Sequence, residues 1–402
     1  MTRGEKIKIE GRPVWAEVRL SALTHNLKTI RKHLDAGSAN AGGKSAKRVK
    51  IFAVVKGNAY GHGSVAVTKT LAKAGADMFC VTCTSEGIQL REAGVKHPIL
   101  VLTGFWPGEE KRLIEYRLTP SVSDCEQLKI LERAAERDGK KFRGPLEFHF
   151  KIDSGMNRLG ASPDSIPCFA GVLAKCKHLK LAGTFTHLAS SEVMTTTETP
   201  DQTRVFLSAI AKMRELGLSP GITHMANSAA IISSPQTWLD AVRPGAILYG
   251  YHQNYDPPSK TIEVNQKVPL QPALSFRARI ISLRDVPAGS GVGYNAKFHA
   301  TRPSRIGILA AGYADGIPRG MANHGSVIVR GKLAPVVGTI SMDLTAIDVT
   351  DVEGAEVGDI ATIFGADGET KQYAFDVAKQ LGMVTAQVLV GIGWRVPRIY
   401  LR

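Results

Sequence analysis

Between residues 51 and 250, short apolar runs rich in β-branched and aromatic residues alternate with longer stretches of helical periodicity. This alternation is typical of strand–helix units, whose strands pair in parallel. The predicted strands cover 51–55, 77–81, 98–102, 118–122, 146–152, 179–185, 221–225 and 239–242. Eight such units predict an α/β fold, a closed (β/α)8 barrel of the TIM type rather than an open sheet.

Amphipathic segments precede and separate these strands. Helices are predicted over 21–34, 64–74, 85–93, 123–137 and 202–216. Beyond Asn254 the pattern changes, and Asp-Pro-Pro-Ser-Lys at 256–260 has the composition of a linker. After it, short strands separated by Gly and Pro are predicted over 274–283, 305–309, 326–329, 345–349 and 359–363, with one helix over 374–381.

Two domains are therefore expected. Residues 1–254 are predicted to form the N-terminal barrel, and residues 255–402 a smaller, mostly β C-terminal domain. Residues 1–18 precede the first barrel helix and are able to pair with the C-terminal domain.

The net charge does not point to a nucleic-acid partner. The chain has 51 Lys+Arg against 36 Asp+Glu, a formal charge of +15, but only 6% aromatic residues. The densest basic cluster lies in the Gly/Ser/Ala-rich segment 37–50, which we interpret as a loop between a helix and a strand. Stacking aromatics and nucleic-acid-binding motifs are missing from the sequence, so nucleic-acid binding is not expected.

The cysteines and the hydropathy pattern indicate a cytoplasmic protein without a membrane partner. Five cysteines are too few and too scattered for a disulfide framework, and their odd number fits a reducing compartment. Cys80 and Cys83 lie in an apolar run, so we interpret them as core thiols and expect no metal site. The sequence shows no signal-peptide pattern and no apolar run of membrane-spanning length.

Chemically useful residues follow the predicted barrel strands, where catalytic groups of such barrels lie. Lys56 comes directly after the first strand, and burial there would lower its pKa and allow it to form a Schiff base. The glycine-rich segment 57–63 allows close backbone approach to a ligand and carries the Tyr60 hydroxyl. The alternative is an exposed lysine in an ordinary loop.

Later strand ends add charged and polar groups. Lys151, Asp153 and Arg158 follow the fifth strand, although Lys151 and Asp153 also fit a salt-bridged barrel core. His187 ends the sixth strand, where a lone histidine is usually structural.

The last two strand ends predict a phosphate site. Ser228 begins a helix after the seventh strand, and Arg243 follows the eighth. Phosphate sites built from the last two βα loops recur in these barrels. A strand-end lysine together with a phosphate site indicates pyridoxal 5'-phosphate (PLP).

Three turns of the C-terminal domain also display candidate residues. Tyr294 follows the glycine-rich segment 289–293, Tyr313 lies in a second turn, and Met342 with Asp343 lies in a third. A GxGxG pattern without a surrounding βαβ unit is weak evidence, and ordinary β-turns remain the alternative.

Taken together, these motifs resemble the alanine racemases, PLP enzymes of fold type III. The resemblance covers nearly the whole chain in the family's order. It is carried by Trp15-Ala-Glu-Val18, Val54-Val-Lys-Gly-Asn-Ala-Tyr-Gly-His-Gly63, Lys151-Ile-Asp-Ser-Gly-Met-Asn-Arg-Leu-Gly160, Asn227-Ser-Ala-Ala230, Arg243-Pro-Gly245, Gly293-Tyr294, Gly312-Tyr-Ala-Asp-Gly316, Ser341-Met-Asp343 and Arg395-Val-Pro-Arg398.

The resemblance implies a two-base racemisation of alanine in a homodimer with shared active sites. Lys56 would hold PLP and act as the base on one face of the substrate, and Tyr294 from the partner subunit would act on the other. Racemisation needs two such groups, because the proton leaves one face of Cα and returns to the opposite face. The family's role further implies that D-alanine is supplied for peptidoglycan.

The resemblance also implies roles for the remaining residues. Arg243 would contact the pyridine nitrogen, and Arg158 the substrate carboxylate or the phenolic oxygen of PLP. Lys151 is often carbamylated in the family. The other cofactor-binding groups would be Tyr60, Ser228, Gly245 and Ala246 at the phosphate, with His187 and Asn227 lining the cofactor. Tyr313, Met342 and Asp343 would shape the substrate side.

Two residues depart from the family pattern. Trp394 replaces the usual tyrosine before Arg-Val-Pro-Arg, and an indole N–H can donate but not accept, so one phosphate contact is expected to differ. Gly57 replaces the commoner alanine.

Two alternative functions stay open. One is a broader racemase acting on serine or basic amino acids, although such relatives are commonly exported. The other is a non-catalytic PLP-binding protein, but that class has a single barrel and lacks the second base.

Overall fold

The computed structural model describes residues 11–40, 48–138 and 144–402. They form two compact units. The barrel unit comprises Ala22–Ala59 and Ser64–Gln271. The β-rich unit comprises Tyr60–Gly63, Pro272–Arg402 and the described part of Met1–Ser21.

Strands and helices are numbered along the chain, beginning with β1 (Val14–Arg19) and α1 (Leu20–Asn40). Eight parallel strands then close into a barrel, and β9 pairs back onto the first of them through Lys50↔Ala241 and Ile51↔Val242. These strands are β2 (Lys50–Val54), β3 (Met78–Val81), β4 (Ile99–Val101), β5 (Thr119–Val122), β6 (Leu146–Lys151), β7 (Leu179–Phe185), β8 (Ile222–His224) and β9 (Ala241–Val242).

The closed barrel confirms the predicted fold class, and each predicted strand overlaps an observed one. The barrel strands are buried along most of their length, because helices cover the outside and large side chains fill the inside. Fully buried aromatic residues of these strands are Phe52, Phe79, Phe148, Phe150 and Phe185.

Helices connect the barrel strands. In α6, Leu128, Leu131 and Ala135 recur at helical spacing and are buried, while the opposite face is charged. After α1, the helices of this part of the chain are α2 (Lys56–Tyr60), α3 (Ser64–Ala74), α4 (Thr84–Glu92), α5 (Glu110–Glu115), α6 (Cys125–Asp138), α7 (Ile166–Leu173), α8 (Glu198–Glu215), α9 (Ser228–Ser233) and α10 (Ser259–Lys267).

Two sequence-based interpretations of loops need correction. The predicted linker at 256–260 runs into α10, because Val264 is buried and Lys260 pairs with Glu263 at 2.7 Å. The predicted basic loop 37–50 begins inside α1, which continues to Asn40. Residues 41–47 of that segment lie outside the described residues.

The β-rich unit is built around a sheet in which β10 (Leu274–Val286) is central. This strand pairs antiparallel with β1, β13 (Ser304–Leu309) and β17 (Ile360–Asp367), while β1 pairs in parallel with β19 (Arg398–Leu401). Its further elements are β10 (Leu274–Val286), β11 (Gly291–Val292), β12 (Phe298–His299), β13 (Ser304–Leu309), β14 (Ser326–Val329), β15 (Lys332–Pro335), β16 (Thr345–Asp348), β17 (Ile360–Asp367), β18 (Thr370–Gln372), α11 (Ala374–Gln380), α12 (Thr385–Val390) and β19 (Arg398–Leu401).

The N-terminal strand β1 belongs to this sheet, with Val14 opposite Ala278 and Val18 opposite Leu274. Within the described residues, every helix is too short or too polar to cross a membrane.

Candidate active site

The segment that carries Lys56 has an unusual backbone. Residues 57–60 all have positive φ, with values of 62°, 52°, 54° and 51°, so this short turn is left-handed. Only glycine adopts that conformation without a steric cost. The Glu86 carboxylate anchors the turn, since it accepts hydrogen bonds from the backbone N–H groups of Gly57 at 2.7 Å and Thr82 at 2.8 Å. A strained and anchored backbone of this kind is typical of a functional site.

Lys56 lies near more cationic than anionic side chains. Burial lowers its pKa, and the neighbouring Arg158 lowers it further, whereas Glu86 opposes the shift. Burial also lowers the pKa of Lys151 to about 8, with contributions from the charges of Arg243, Arg158 and Lys56. Both amines are therefore more often neutral than an ordinary lysine, and the surplus of cations suits an anionic ligand.

Arg243 is fixed from several directions in the barrel interior. Its guanidinium donates to the carbonyls of Thr186 at 2.6 Å and Met225 at 3.1 Å, and to Nδ1 of His224 at 2.7 Å. It also lies 3.3 Å from Nδ1 of His187 and 5.2 Å from the centre of the Phe185 ring. Burial lowers the pKa of Arg243 to about 10, so it remains protonated at neutral pH.

Two histidines extend this network deeper into the barrel. Because a guanidinium only donates, Nδ1 of His224 accepts from Arg243 and its Nε2–H points to Nδ1 of His149, 2.9 Å away. Burial, reinforced by Arg243, lowers the pKa of His149 and of His187 to about 3, and that of His224 well below its usual value. The imidazoles are therefore neutral.

His149 and His224 are residues of the Arg243 network that the sequence motifs did not single out. His149 alternates with Lys151 along β6, and His224 is the last residue of β8. Their positions on barrel strands are the sequence signal that could have identified them. Their contact with Arg243, however, depends on how the strands pair across the barrel.

The predicted phosphate-binding residues are joined to one another. Ser228 Oγ accepts from the backbone N–H of Gly245 at 2.8 Å, which links the loops after β8 and β9. Asn227 caps α9 through the N–H of Ala230 at 3.1 Å and accepts from Ser191 Oγ at 2.8 Å. Ala246, the residue after Gly245, begins a short 3-10 turn.

Arg158 is exposed on a turn that Asp153 shapes. One carboxylate oxygen of Asp153 accepts from the backbone N–H groups of Gly155 and Met156, both at 2.9 Å, and of Asn157 at 3.1 Å. Within the described residues Asp153 forms no salt bridge with Lys151. The carboxylate therefore holds the turn in place and leaves Arg158 facing solvent.

In the β-rich unit, several of the predicted site residues have exposed side chains. Tyr294 is 69% exposed, Met342 53%, and Trp394 95%, and Tyr313 is also exposed. Burial raises the pKa of Tyr60 to about 12, so this phenol stays neutral.

Asp343 is ion-paired instead of free. Arg395 donates to it at 2.6 Å and Arg12 at 3.2 Å, and the hydrogen bond from Arg395 is the main cause of its lowered pKa. The buried Asp315 completes this cluster, since it accepts from Arg395 at 2.7 Å and from the N–H of Gly312 at 2.9 Å. The cluster fixes the turns that carry Tyr313 and Met342 on either side.

Comparisons with known proteins agree over the whole chain. The family model described as "Alanine racemase, N-terminal domain" matches residues 18–253, and "Alanine racemase, C-terminal domain" matches residues 273–400. The chain is 36% identical over 389 residues to the alanine racemase of Halothermothrix orenii, covering 97% of both chains. It is 37% identical over 391 residues to that of Methanococcus maripaludis, covering 97% of this chain and 99% of the relative. The solved structure of the Clostridium difficile alanine racemase aligns with a TM-score of 0.85 at 33% identity, covering 98% and 97% of the two chains.

Proposed function

The chain belongs to the alanine racemase family of PLP-dependent isomerases, and we propose that it interconverts L- and D-alanine by a two-base mechanism. The observation that carries the proposal is the setting of Lys56. It follows a barrel strand and begins an anchored left-handed turn, and its pKa is lowered. The positive charges of Arg158, Arg243 and Lys151 lie in the same region of the barrel mouth.

The residues present fit PLP. Its phosphate and phenolate are anionic, and the barrel mouth holds more cations than the carboxylates of Glu86 and Asp153 offset. Its aldehyde requires a neutral amine, which the lowered pKa of Lys56 supplies. When bound, PLP provides the electron withdrawal that makes the α C–H of an amino acid acidic. The phosphate would be held by Ser228, Gly245, Ala246, Tyr60 and Trp394, with His187 and Asn227 lining the cofactor.

Arg243 would donate to the pyridine nitrogen and keep its own proton. A guanidinium does not release a proton near neutral pH, so a nitrogen that accepts from it stays unprotonated. Electron withdrawal is then weaker, which favours return of the proton to Cα over side reactions. Support comes from the carbonyls and the His224 imidazole, which fix the guanidinium before any ligand arrives.

Proton transfer would use one base from each of two subunits. Lys56 Nζ would take or return the proton on one face of Cα, and the Tyr294 hydroxyl of a second copy would act on the other. The 69% exposure of Tyr294 on one chain supports this arrangement, because an exposed phenol is free to enter another subunit's site. The proposal therefore includes a homodimer with shared active sites.

Arg158 would pair with the substrate carboxylate. Tyr313, Met342 and Asp343 would shape the substrate side, again from the second copy. Lys151 would be carbamylated: only a neutral amine reacts with carbon dioxide, and a pKa of about 8 makes the neutral form plentiful. The carbamate's negative charge would then orient Arg158. The D-alanine produced would serve peptidoglycan synthesis.

The deciding experiment measures D-alanine formed from L-alanine by PLP-loaded protein. Lys56→Ala is expected to be inactive and Tyr294→Phe about 10²–10⁴-fold slower, because each removes a proton-transfer group. Lys180→Ala and Tyr116→Phe, which change residues outside the site, serve as matched controls and should retain full activity. Protein that binds PLP without racemising alanine would contradict the proposal and favour a binding protein. Higher kcat/KM for serine or lysine than for alanine would favour the broader racemase.

A further inference from the structure

Two cysteines on neighbouring barrel helices have their sulfur atoms in contact. Cys125 is the first residue of α6 and Cys168 is the third residue of α7, and their Sγ atoms lie 3.0 Å apart. Both are free thiols; Cys168 is exposed and Cys125 is half-buried. Neither residue belongs to the proposed active site, so the contact has no explanation in racemisation.

The other cysteines lack such a partner. Cys80 is buried within β3, Cys83 Sγ contacts Ser85 Oγ at 3.1 Å, and Cys176 Sγ donates to the carbonyl of Val172 at 3.4 Å. Among the residues that the structure describes, Cys125 and Cys168 form the only thiol–thiol contact. Any intramolecular disulfide of the folded chain is therefore expected at this pair.

We propose that Cys125 and Cys168 are a reversible disulfide site that links α6 to α7 when the protein meets a low-molecular-weight disulfide such as oxidised glutathione. The proposal goes beyond racemisation and does not depend on it. It is also compatible with a reducing compartment, because thiols are the resting state and the bond forms on exposure to an oxidant.

The exposed thiol would react first. The Cys168 thiolate attacks one sulfur of oxidised glutathione, a Cys168–glutathione disulfide forms, and one glutathione leaves as a thiolate that takes up a proton. The Cys125 thiolate then attacks Cys168 Sγ and releases the second glutathione in the same way. In balance, two cysteine thiols are oxidised to one disulfide while oxidised glutathione is reduced to two glutathione molecules.

The order of attack follows from accessibility. Burial raises the pKa of the Cys125 thiol to about 11, and its hydrogen bond with Cys168 contributes to the shift. Few Cys125 thiolates therefore exist in the resting protein, and direct attack by this half-buried thiol on a bulky disulfide is disfavoured. Once Cys168 carries glutathione, the thiol–thiol hydrogen bond is gone and Cys125 faces an electrophilic sulfur at contact distance.

The link would enclose a functionally relevant stretch of chain. The segment between the two cysteines includes β6 with Lys151 and the turn that carries Arg158. A covalent ring around this segment restricts the unfolded chain and raises the melting temperature. A rise of about 5 °C is expected for a single bond of this kind.

The test uses the PLP-loaded full chain, incubated with oxidised glutathione or with dithiothreitol. Remaining thiols are alkylated, and non-reduced peptides are mapped by mass spectrometry. We expect one intramolecular link, between the peptides of Cys125 and Cys168, with the rise in melting temperature reversed by dithiothreitol. Cys125→Ser should stop at the glutathione adduct on Cys168, and Cys168→Ser should form neither product at Cys125. Cys83→Ser is the matched control and should form the link like the unchanged protein.

Three results would overturn the proposal. One is a stable glutathione adduct on Cys168 of the unchanged protein with no internal link. Another is a link that involves Cys80, Cys83 or Cys176. The third is an intermolecular disulfide through Cys168, visible as a larger species on a non-reducing gel.

Discussion

The barrel mouth and the exposed turns of the β-rich unit present functional groups in opposite ways. Arg243 is buried and held by three carbonyls and two imidazoles of its own chain. Tyr294 and Trp394, in contrast, are mostly exposed. The barrel mouth is therefore preorganised within a single chain, whereas the exposed turns have surfaces that a second copy would complete. This contrast supports the proposal that one chain carries both bases and would use them in different sites.

The strongest test of the contrast mixes two inactive proteins. If the sites are shared, each site combines Lys56 of one subunit with Tyr294 of the other. Lys56→Ala and Tyr294→Phe then each remove a different one of the two bases that make up a site. A mixed dimer then has one doubly damaged site and one intact site. Random reassembly gives mixed dimers in about half of the population, so activity should return to about a quarter of the unchanged enzyme's value per site.

The assay is D-alanine formation after the two variants are unfolded together and refolded. Separately refolded variants, combined afterwards without exchange, are the control. Failure to regain activity in mixtures shown to contain mixed dimers would mean that both bases serve the same chain.

Arg243→Lys should reveal how strongly the barrel mouth is fixed. A lysine cannot make the set of contacts that the guanidinium makes, so the carbonyls of Thr186 and Met225 and Nδ1 of His224 lose partners in a buried site. We expect the free energy of unfolding to fall by about 3 kcal/mol. Urea denaturation of the PLP-free protein measures it.

The matching change in the exposed region is Trp394→Ala, for which a shift within about 0.5 kcal/mol is expected. If Arg243→Lys and Trp394→Ala lowered the free energy of unfolding equally, the contrast between the two regions would be contradicted.

Much of the barrel mouth could be predicted because its residues follow strands that are recognisable locally. Lys56, Lys151, His187 and Arg243 each come at or just after such a strand. The hydrogen-bonded series from Arg243 through His224 to His149 could not be predicted, since it depends on how β6, β7 and β8 pair.

The β-rich unit was harder to predict for a related reason. Strand β1 pairs with β10, which is distant along the chain, and with β19 near the opposite end of the chain. The ion pairs of Asp343 with Arg12 and Arg395 also join distant segments. The sequence allowed for pairing of residues 1–18 with the C-terminal domain, but neither the partner strands and register of β1 nor these ion pairs leave a local signal, whereas strand–helix alternation does.

Burial of Lys151, together with the crowded cations of the barrel mouth, should make stability depend on pH. Lys151 has a folded-state pKa of about 8, below the value of about 10.4 in an unfolded chain. Between these pH values the unfolded chain binds a proton that the folded chain has released, so stability rises with pH across this window. Relative to Lys151→Met, the PLP-free protein should gain about 1–2 kcal/mol from pH 8 to 10.

Denaturation in buffers freed of carbon dioxide measures this difference, because the amine then stays uncarbamylated. Lys180→Met changes an exposed lysine and is the control, for which no such gain is expected. A flat difference between the unchanged protein and Lys151→Met would show that burial and the neighbouring cations do not lower the pKa of Lys151 as described.

The smallest expected effect concerns the left-handed turn after β2. At Gly57, φ is 62°, where alanine is strained, so Gly57→Ala should lower the free energy of unfolding by about 1 kcal/mol. Gly171 offers a matched contrast, because it lies inside α7 with ordinary φ and has open space where the methyl group of an alanine would lie. Gly171→Ala should therefore stabilise the protein by up to about 1 kcal/mol.

The signs of the two changes decide whether the backbone conformation at residue 57 requires glycine. If Gly57→Ala is neutral while Gly171→Ala stabilises, a side chain at residue 57 is not strained, and the hydrogen bonds that the Glu86 carboxylate accepts from Gly57 and Thr82 hold the turn after Lys56. If both have the expected signs, a side chain at residue 57 is strained and glycine avoids that strain in this chain.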